Sequence, residues 1–149
     1  MVDFDTIREL RALCGASISS CKKALEEADG DMKKALEVLR REGVEIAEKK
    51  SSRATNAGVI DAYVHQDRRL GVLVEIKCET DFVARNDEFR AFAHELAMQA
   101  AAAAPKSVDD FLKQSFIKDP AKTVEDRIRE TIAKFGENVE LVAFSRLEF

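Results

Sequence analysis

Between Leu70 and Ala100 the apolar pattern changes period once, from two residues to about 3.6, and that switch limits what the surrounding chain can become. Leu70, Val72, Val74, Ile76 and Cys78 share one face of an extended run, while Gly71, Leu73, Glu75, Lys77 and Glu79 share the other. A strand buried on one side reads this way. Phe89, Phe92, Ala93, Leu96, Ala97 and Ala100 then recur as the stripe of a helix that Asn86-Asp87 can cap and Pro105 closes. The residues Glu79-Thr80-Asp81-Phe82-Val83-Ala84-Arg85-Asn86 therefore form a strand-to-helix junction, which sets a carboxylate beside a large aromatic ring on a turn. A phenylalanine at such a point either folds back into its own core or stands out as a wedge for a partner. Composition alone favours the core; the flanking strand and helix, which supply a core without Phe82, weigh toward the wedge, and both readings stand at this point.

The strand has company on both sides. Residues 58–65 set Ile60, Ala62 and Val64 against Val59, Asp61 and Tyr63, and Gln66-Asp67-Arg68-Arg69 makes a polar turn into the run at Leu70. That is a hairpin signal. A short apolar pattern covers residues 108–116. Thr123 can cap a helix burying Val124, Ile128, Ile132 and Phe135, and Gly136 ends it before a third strand over residues 138–149. In that strand Val139, Leu141, Ala143 and Leu147 fall on one face and Val142 and Phe144 on the other. A three-stranded sheet with helices on one side leaves its second face apolar and exposed, and a two-fold homodimer packing sheet on sheet would cover it with one interface.

The first 55 residues read as a three-helix docking module and linker. Asp5 or Thr6, with Glu9, suggests a cap for a helix carrying Phe4, Ile7, Leu10 and Leu13, which Gly15 ends. Ser17 caps a second helix with Ile18, Cys21, Ala24, Leu25 and Ala28 on one face, and Asp29-Gly30 breaks it. Asp31 caps a third with Met32, Ala35, Leu36 and Leu39, which stops near Gly43. Residues 45–56 mix Lys, Glu, Ser and Ala and read as a short helix running into a tether. The basic run 49–53 is either a solvated face or a contact for an acidic partner. Residues 56–149 form the second domain, and the class is α+β: three helices, then a three-stranded antiparallel sheet with packed helices.

Composition excludes several functions. Twenty-four basic and 28 acidic residues among 149, net −4 and well mixed, give no sustained field for nucleic-acid phosphates, so direct nucleic-acid binding is not expected. No run reaches the ~18 to 20 apolar residues of a membrane span, and Met1 is followed by no signal core, so the expected location is the cytoplasm. Cys14, Cys21 and Cys78 are odd in number and lack ligand spacing, which suits packed reduced thiols without a metal or other cofactor. The chain has no Gly-x-Ser-x-Gly, no phosphate-loop motif and no His-Glu-x-x-His, so no catalytic residue is assigned and an enzyme is not expected. His65 and His94 stand singly, and a locally bonded or solvated imidazole suits His94.

Leu10-Arg11, Gly15-Ala16, Cys21-Lys22-Lys23-Ala24-Leu25, Gly30-Asp31 and Ala35-Leu36 resemble the amino-terminal domain of the elongation factor Ts family, which is similar in fold to ubiquitin-associated domains. Cys14 stands where threonine is usual in that family, and Ser17 and Ser19 also depart from its pattern. The octapeptide Glu79 to Asn86 is close to the family signature Thr-Asp-Phe-Val-Ala, and Ala97-Met98-Gln99, Phe116-Ile117-Lys118-Asp119-Pro120 and Gly136-Glu137-Asn138 extend the likeness in order. The chain resembles a short form, with one core and short connections. The resemblance implies a guanine nucleotide exchange factor for the GTPase elongation factor Tu in translation elongation. Docking would involve Arg11, Ile18 and Ser19, and Thr80, Asp81, Phe82 and Val83 would disturb the partner's magnesium and phosphate site. Periodicity alone offers helix core as the other reading of Ile18. The competing function is a helical docking module without exchange activity.

Overall fold

Side chains close the first turn of six helices. In the computed structural model, which describes residues 1–149, Ser17, Asp31, Thr80, Asn86, Ser107 and Thr123 each accept a hydrogen bond from a backbone N–H two or three residues on. Each cap contributes about 1 kcal/mol relative to alanine. The chain runs α1 (Phe4–Cys14), α2 (Ile18–Glu27), α3 (Met32–Lys50), β1 (Ala57–Val64), β2 (Leu70–Cys78), α4 (Asp81–Ala84), α5 (Asp87–Ala103), α6 (Val108–Lys113), β3 (Ser115–Phe116), β4 (Asp119–Thr123), α7 (Val124–Phe135) and β5 (Val139–Glu148). It is a mixed helix and strand fold of two compact units, residues 1–52 with 129–136 and residues 53–128 with 137–149. No helix is long and apolar enough to cross a membrane.

In the first unit Ile7, Leu10, Cys21, Ala24, Leu25, Ala28, Ala35 and Val38 form the core, with Cys14, Met32, Leu36 and Leu39 packed against it. The apolar stripe of α1 is narrower than its spacing suggests, since Phe4 and Leu13 are exposed. The helix also starts earlier, at Phe4 behind Asp3, so neither Asp5 nor Thr6 is its cap and no capping box forms. Gly15 ends it with φ 69°, a left-handed conformation that costs glycine little, and its N–H reaches Arg11 O. The larger departure is α3, which passes through Gly43 and continues to Lys50. Gly43 and Ala47, one turn apart, are buried, so one continuous helix stands where a stop near Gly43 and a separate short helix are expected. Lys50 Nζ donates to Gly136 O at 2.6 Å within the same unit.

The second unit is built on an antiparallel sheet in the order β1-β2-β5. Its β1–β2 hairpin turns through residues 65–69, where Asp67 Oδ1 accepts from Arg69 N. Helix α5 lies across β1 and β2. It buries Phe89, Phe92, Ala93, Leu96, Ala97 and Ala100, the stripe expected from their spacing, against the face carrying Val72, Val74, Ile76 and Cys78. The alanine run is close packing only in part, with Ala100 and Ala101 buried and Ala102 exposed.

Strand β5 corrects the simple alternation. Glu75 pairs with Ala143 and Ile76 with Leu141, so Val142 is an extra residue, a β-bulge. Beyond it the phase reverses. Phe144 and Arg146 turn to the helix side, where Phe144 meets Phe111 edge-on and Arg146 donates to Ala101 O. Ala143 and Leu147 leave the face of Val139 and Leu141 and join Ile60, Ala62, Val64 and Leu73 on the open side. A small β3–β4 hairpin, not foreseen from sequence, follows α6, and Thr123 with Asp126 forms a reciprocal capping box at the start of α7.

Candidate partner-binding site

Thr80 lies in extended conformation and closes α4, a single turn, by accepting from Val83 N through Oγ1 at 3.4 Å. Such a short helix has little cohesion of its own. What holds it is a second segment 57 residues away. Glu137 Oε1 accepts from the backbone N–H groups of Glu79 and Thr80 at 3.0 and 2.9 Å, and Thr80 Oγ1 donates to Glu137 Oε2 at 2.7 Å. Glu79 returns the contact, its Oε1 accepting from Asn138 N at 2.8 Å. Each carboxylate thus satisfies backbone donors of the other's segment. Arg53 lies 3.7 Å from Glu79, and Asn138 Nδ2 donates to Arg53 O. Hydrogen bonds to an ionised acceptor are among the stronger ones, so this lattice fixes the turn to the sheet.

Below the turn, Cys78 Sγ donates to Thr80 O at 3.3 Å. Burial pushes the Cys78 thiol up, and the Glu137 carboxylate adds to the effect, so the thiol keeps the proton it donates. Arg90 Nε bonds Ala84 O from the following helix.

Held this way, the turn divides its side chains. Val83 and Ala84 are buried at 4% and 5% exposure. Asp81 is exposed, and Phe82 stands 84% exposed with its ring in solvent. Sequence reasoning groups Thr80, Asp81, Phe82 and Val83 as one partner-facing edge; the structure turns the Val83 side chain into the core, where it anchors the edge. It also leaves Phe82 out of its own core.

Arg11, Ile18 and Ser19 in the other unit are also exposed. Ile18 is 47% exposed at the start of α2, which removes helix core as its reading. Leu13 is open just before the intervening turn. His94 does have a partner: its Nδ1 lies 2.8 Å from Asp61 Oδ2, joining α5 to β1. Asp61 is 33 residues away on a strand, so no local pattern could reveal the pair. Tyr63 OH lies 2.9 Å from His65 Nδ1. A cavity of about 310 Å³ lies between the end of α5 and the β3–β4 hairpin, lined by Tyr63, Leu70, Met98, Phe116 and Lys118 among others.

A family model described as Elongation factor TS matches residues 79–149, from the Glu79 carboxylate through β5. Relatives named Elongation factor Ts match over nearly the whole chain. The one from Thermoanaerobacter sp. (strain X514) is 39% identical over 193 aligned positions, covering 99% of this chain and 95% of the relative. This chain belongs to the elongation factor Ts family. Relatives from Carboxydothermus hydrogenoformans, 40% identical with 89% of the relative covered, and Thermotoga neapolitana, 40% identical with 96% covered, agree. In each, 99% of this chain is matched. The role that goes with elongation factor Ts is in translation elongation. The aligned span of 193 positions exceeds the 149 residues here, so the Thermoanaerobacter relative carries residues inside it that this chain lacks.

Proposed function

We propose that this protein is a guanine nucleotide exchange factor for elongation factor Tu, acting in the cytoplasm without chemistry of its own. The observation that carries the reading is Phe82, a large apolar side chain held in water on a turn whose backbone is tied down by Glu137 and Glu79. Leaving phenylalanine exposed forgoes ~1.5 to 3 kcal/mol, and a partner that accepts the ring recovers it. With each ~1.4 kcal/mol equal to a factor of ten, this one contact could weaken the partner's hold on nucleotide about ten- to a hundred-fold. Asp81 beside it brings a carboxylate toward the magnesium and phosphate contacts of the GTPase, where a negative charge competes with the phosphates for metal and donors.

Docking through residues 1–55, by Arg11, Ile18 and Ser19, positions the 56–149 domain for that insertion. Because coupling is reciprocal, a factor that loosens GDP is itself loosened by GDP, and the cycle turns over. The sheet's open face supports a homodimer as part of the same reading. Neither nucleic acid nor membrane enters it.

Fluorescent GDP release from purified elongation factor Tu tests the proposal. The parent protein should raise the rate, and Phe82→Ala should lower the stimulated rate about tenfold or more with the fold retained. A parent that binds without changing release would instead be a helical docking module. If Phe82→Ala stimulates as well as the parent, the wedge is wrong.

A further inference from the structure

The turn between α1 and α2 brings two thiols together. Cys14 is the last residue of α1 and partly exposed, Cys21 sits one turn into α2 and is fully buried, and their sulfurs lie 3.9 Å apart. Cys21 Sγ also lies 3.9 Å from Ala16 O, so both ends of the turn converge on the same sulfur. Cys78, the third thiol, is buried in the other unit, where Thr80 O is its partner. We propose that Cys14 and Cys21 form a reversible intramolecular disulfide when the protein meets a peroxide, making this turn a redox modification site. A disulfide needs about 2.05 Å between sulfurs, so the two must close by roughly 1.9 Å, within the reach of side-chain rotation and a small shift of the helix end.

The two thiols have different parts. Cys14 is the one solvent reaches, so oxidant arrives there. Burial first, and then the neighbouring Cys14, push the Cys21 thiol up to about 12, so Cys21 is not the thiol a peroxide meets first, and its part rests on its 3.9 Å distance from Cys14. The Cys14 thiolate attacks one oxygen of hydrogen peroxide and the O–O bond breaks. Cys14 becomes a sulfenic acid, and the departing hydroxide with the Cys14 proton makes water. Cys21 sulfur then attacks Cys14 sulfur; the S–S bond forms as the S–O bond breaks, and hydroxide leaves with the Cys21 proton as a second water. Two thiols lose two electrons in all, and one peroxide becomes two waters. A dithiol reductant restores the pair by exchange.

The eight-residue loop so closed contains Ile18 and Ser19 and begins three residues after Arg11. One consequence rests on the docking reading: closing the loop moves the α1 end that carries Arg11, so the oxidised protein stimulates GDP release several-fold less at subsaturating concentration.

The test treats the full-length reduced protein with hydrogen peroxide, alkylates it under denaturing conditions, and maps the tryptic peptides by mass. Cleavage after Arg11 and Lys22 puts both cysteines in one peptide, residues 12–22. The disulfide reads as that peptide unalkylated and lighter by about 2 Da, with Cys78 alkylated and full reversal by dithiothreitol. Cys14→Ser, which spares the buried position, should leave Cys21 alkylatable after the same treatment. Cys14 accumulating as a sulfenic or sulfinic acid beside an alkylatable Cys21, or disulfides only between molecules, would overturn the proposal. Mapping needs no partner, so it stands apart from the exchange assay: a mapped disulfide with unchanged GDP release refutes only the effect on docking.

Discussion

Phe82 stays in water because its neighbours occupy the core positions of the turn. Val83 and Ala84 point inward, and Glu137 holds the backbone so that the ring cannot follow them. Glu137→Ala removes the acceptor of three hydrogen bonds on a partly exposed site, a loss of about 1 to 3 kcal/mol. Urea denaturation should register that loss, and stimulated GDP release should fall toward the level of Phe82→Ala although Phe82 is intact. Glu137→Ala with full stimulation would mean the turn is rigid without its tether. The turn itself is legible in sequence, from the change of period and the cap that Asn86-Asp87 offers the next helix; the Thr80 cap is seen only in the structure. Glu137 is not, because its contacts span 57 residues and nothing near it marks it as a partner of Thr80. Cys21 gives a second residue-scale expectation. Its thiol lies near 9.0 when unperturbed and about 12 in the fold, so the folded state holds the proton more tightly. The resulting stability is complete below about pH 9 and is lost as pH rises toward about 12. Thermal melting across that window should fall more steeply for the parent than for Cys21→Ala, since the two differ only at this thiol.

At the scale of elements, two departures from sequence reasoning come from single residues read as punctuation or as regular spacing. Gly43 looks like a helix end, yet α3 runs on to Lys50, with Gly43 and Ala47 buried along it and Lys50 tying the end to Gly136. A Cβ at Gly43 would meet nothing within 4 Å. Gly43→Ala should therefore stabilise the amino-terminal unit by about 0.5 to 1 kcal/mol, by removing backbone freedom from the unfolded chain. Chemical denaturation monitored by helical circular dichroism measures it, and a destabilised variant would show that the helix needs glycine for closeness. Gly58 is the opposite case, since a Cβ there would collide with Ile76 O across the β1–β2 pair. The bulge at Val142 was illegible for a related reason. An inserted residue changes no composition and breaks no apolar run, yet it moved Ala143, Phe144 and Leu147 to faces opposite those their spacing suggests. The helix stripe of α5, which no bulge or glycine interrupts, emerged as its period required.

For the whole molecule the unresolved demand is the open face of the sheet. Ile60, Val64, Leu73 and Leu147 are all half or more exposed, with Ala62 and Ala143 among them. The cross-strand alignment of Val64 with Gly71, and of Gly71 with Leu147, makes that end of the face flat and apolar. Toward the other end Glu75 lies between Ile60 and Ala143 and Lys77 between Gly58 and Glu140, and the charges discourage indiscriminate stacking. A face apolar at one end and charged at the other suits a closed two-fold pairing, in which each copy covers the other and no surface remains for a third. The proposed homodimer should scatter light at micromolar concentration as twice the 16.6 kDa chain. Leu147→Lys with Ile60→Lys puts two like charges on each of the meeting faces without touching the helix-covered side, and should return the mass to 16.6 kDa with unchanged circular dichroism. A parent protein that scatters as a single chain at that concentration removes the homodimer. Elongation factor Tu binding measured on the double variant then separates two uses of the sheet: retained binding assigns it to assembly, while lost binding assigns it to the partner.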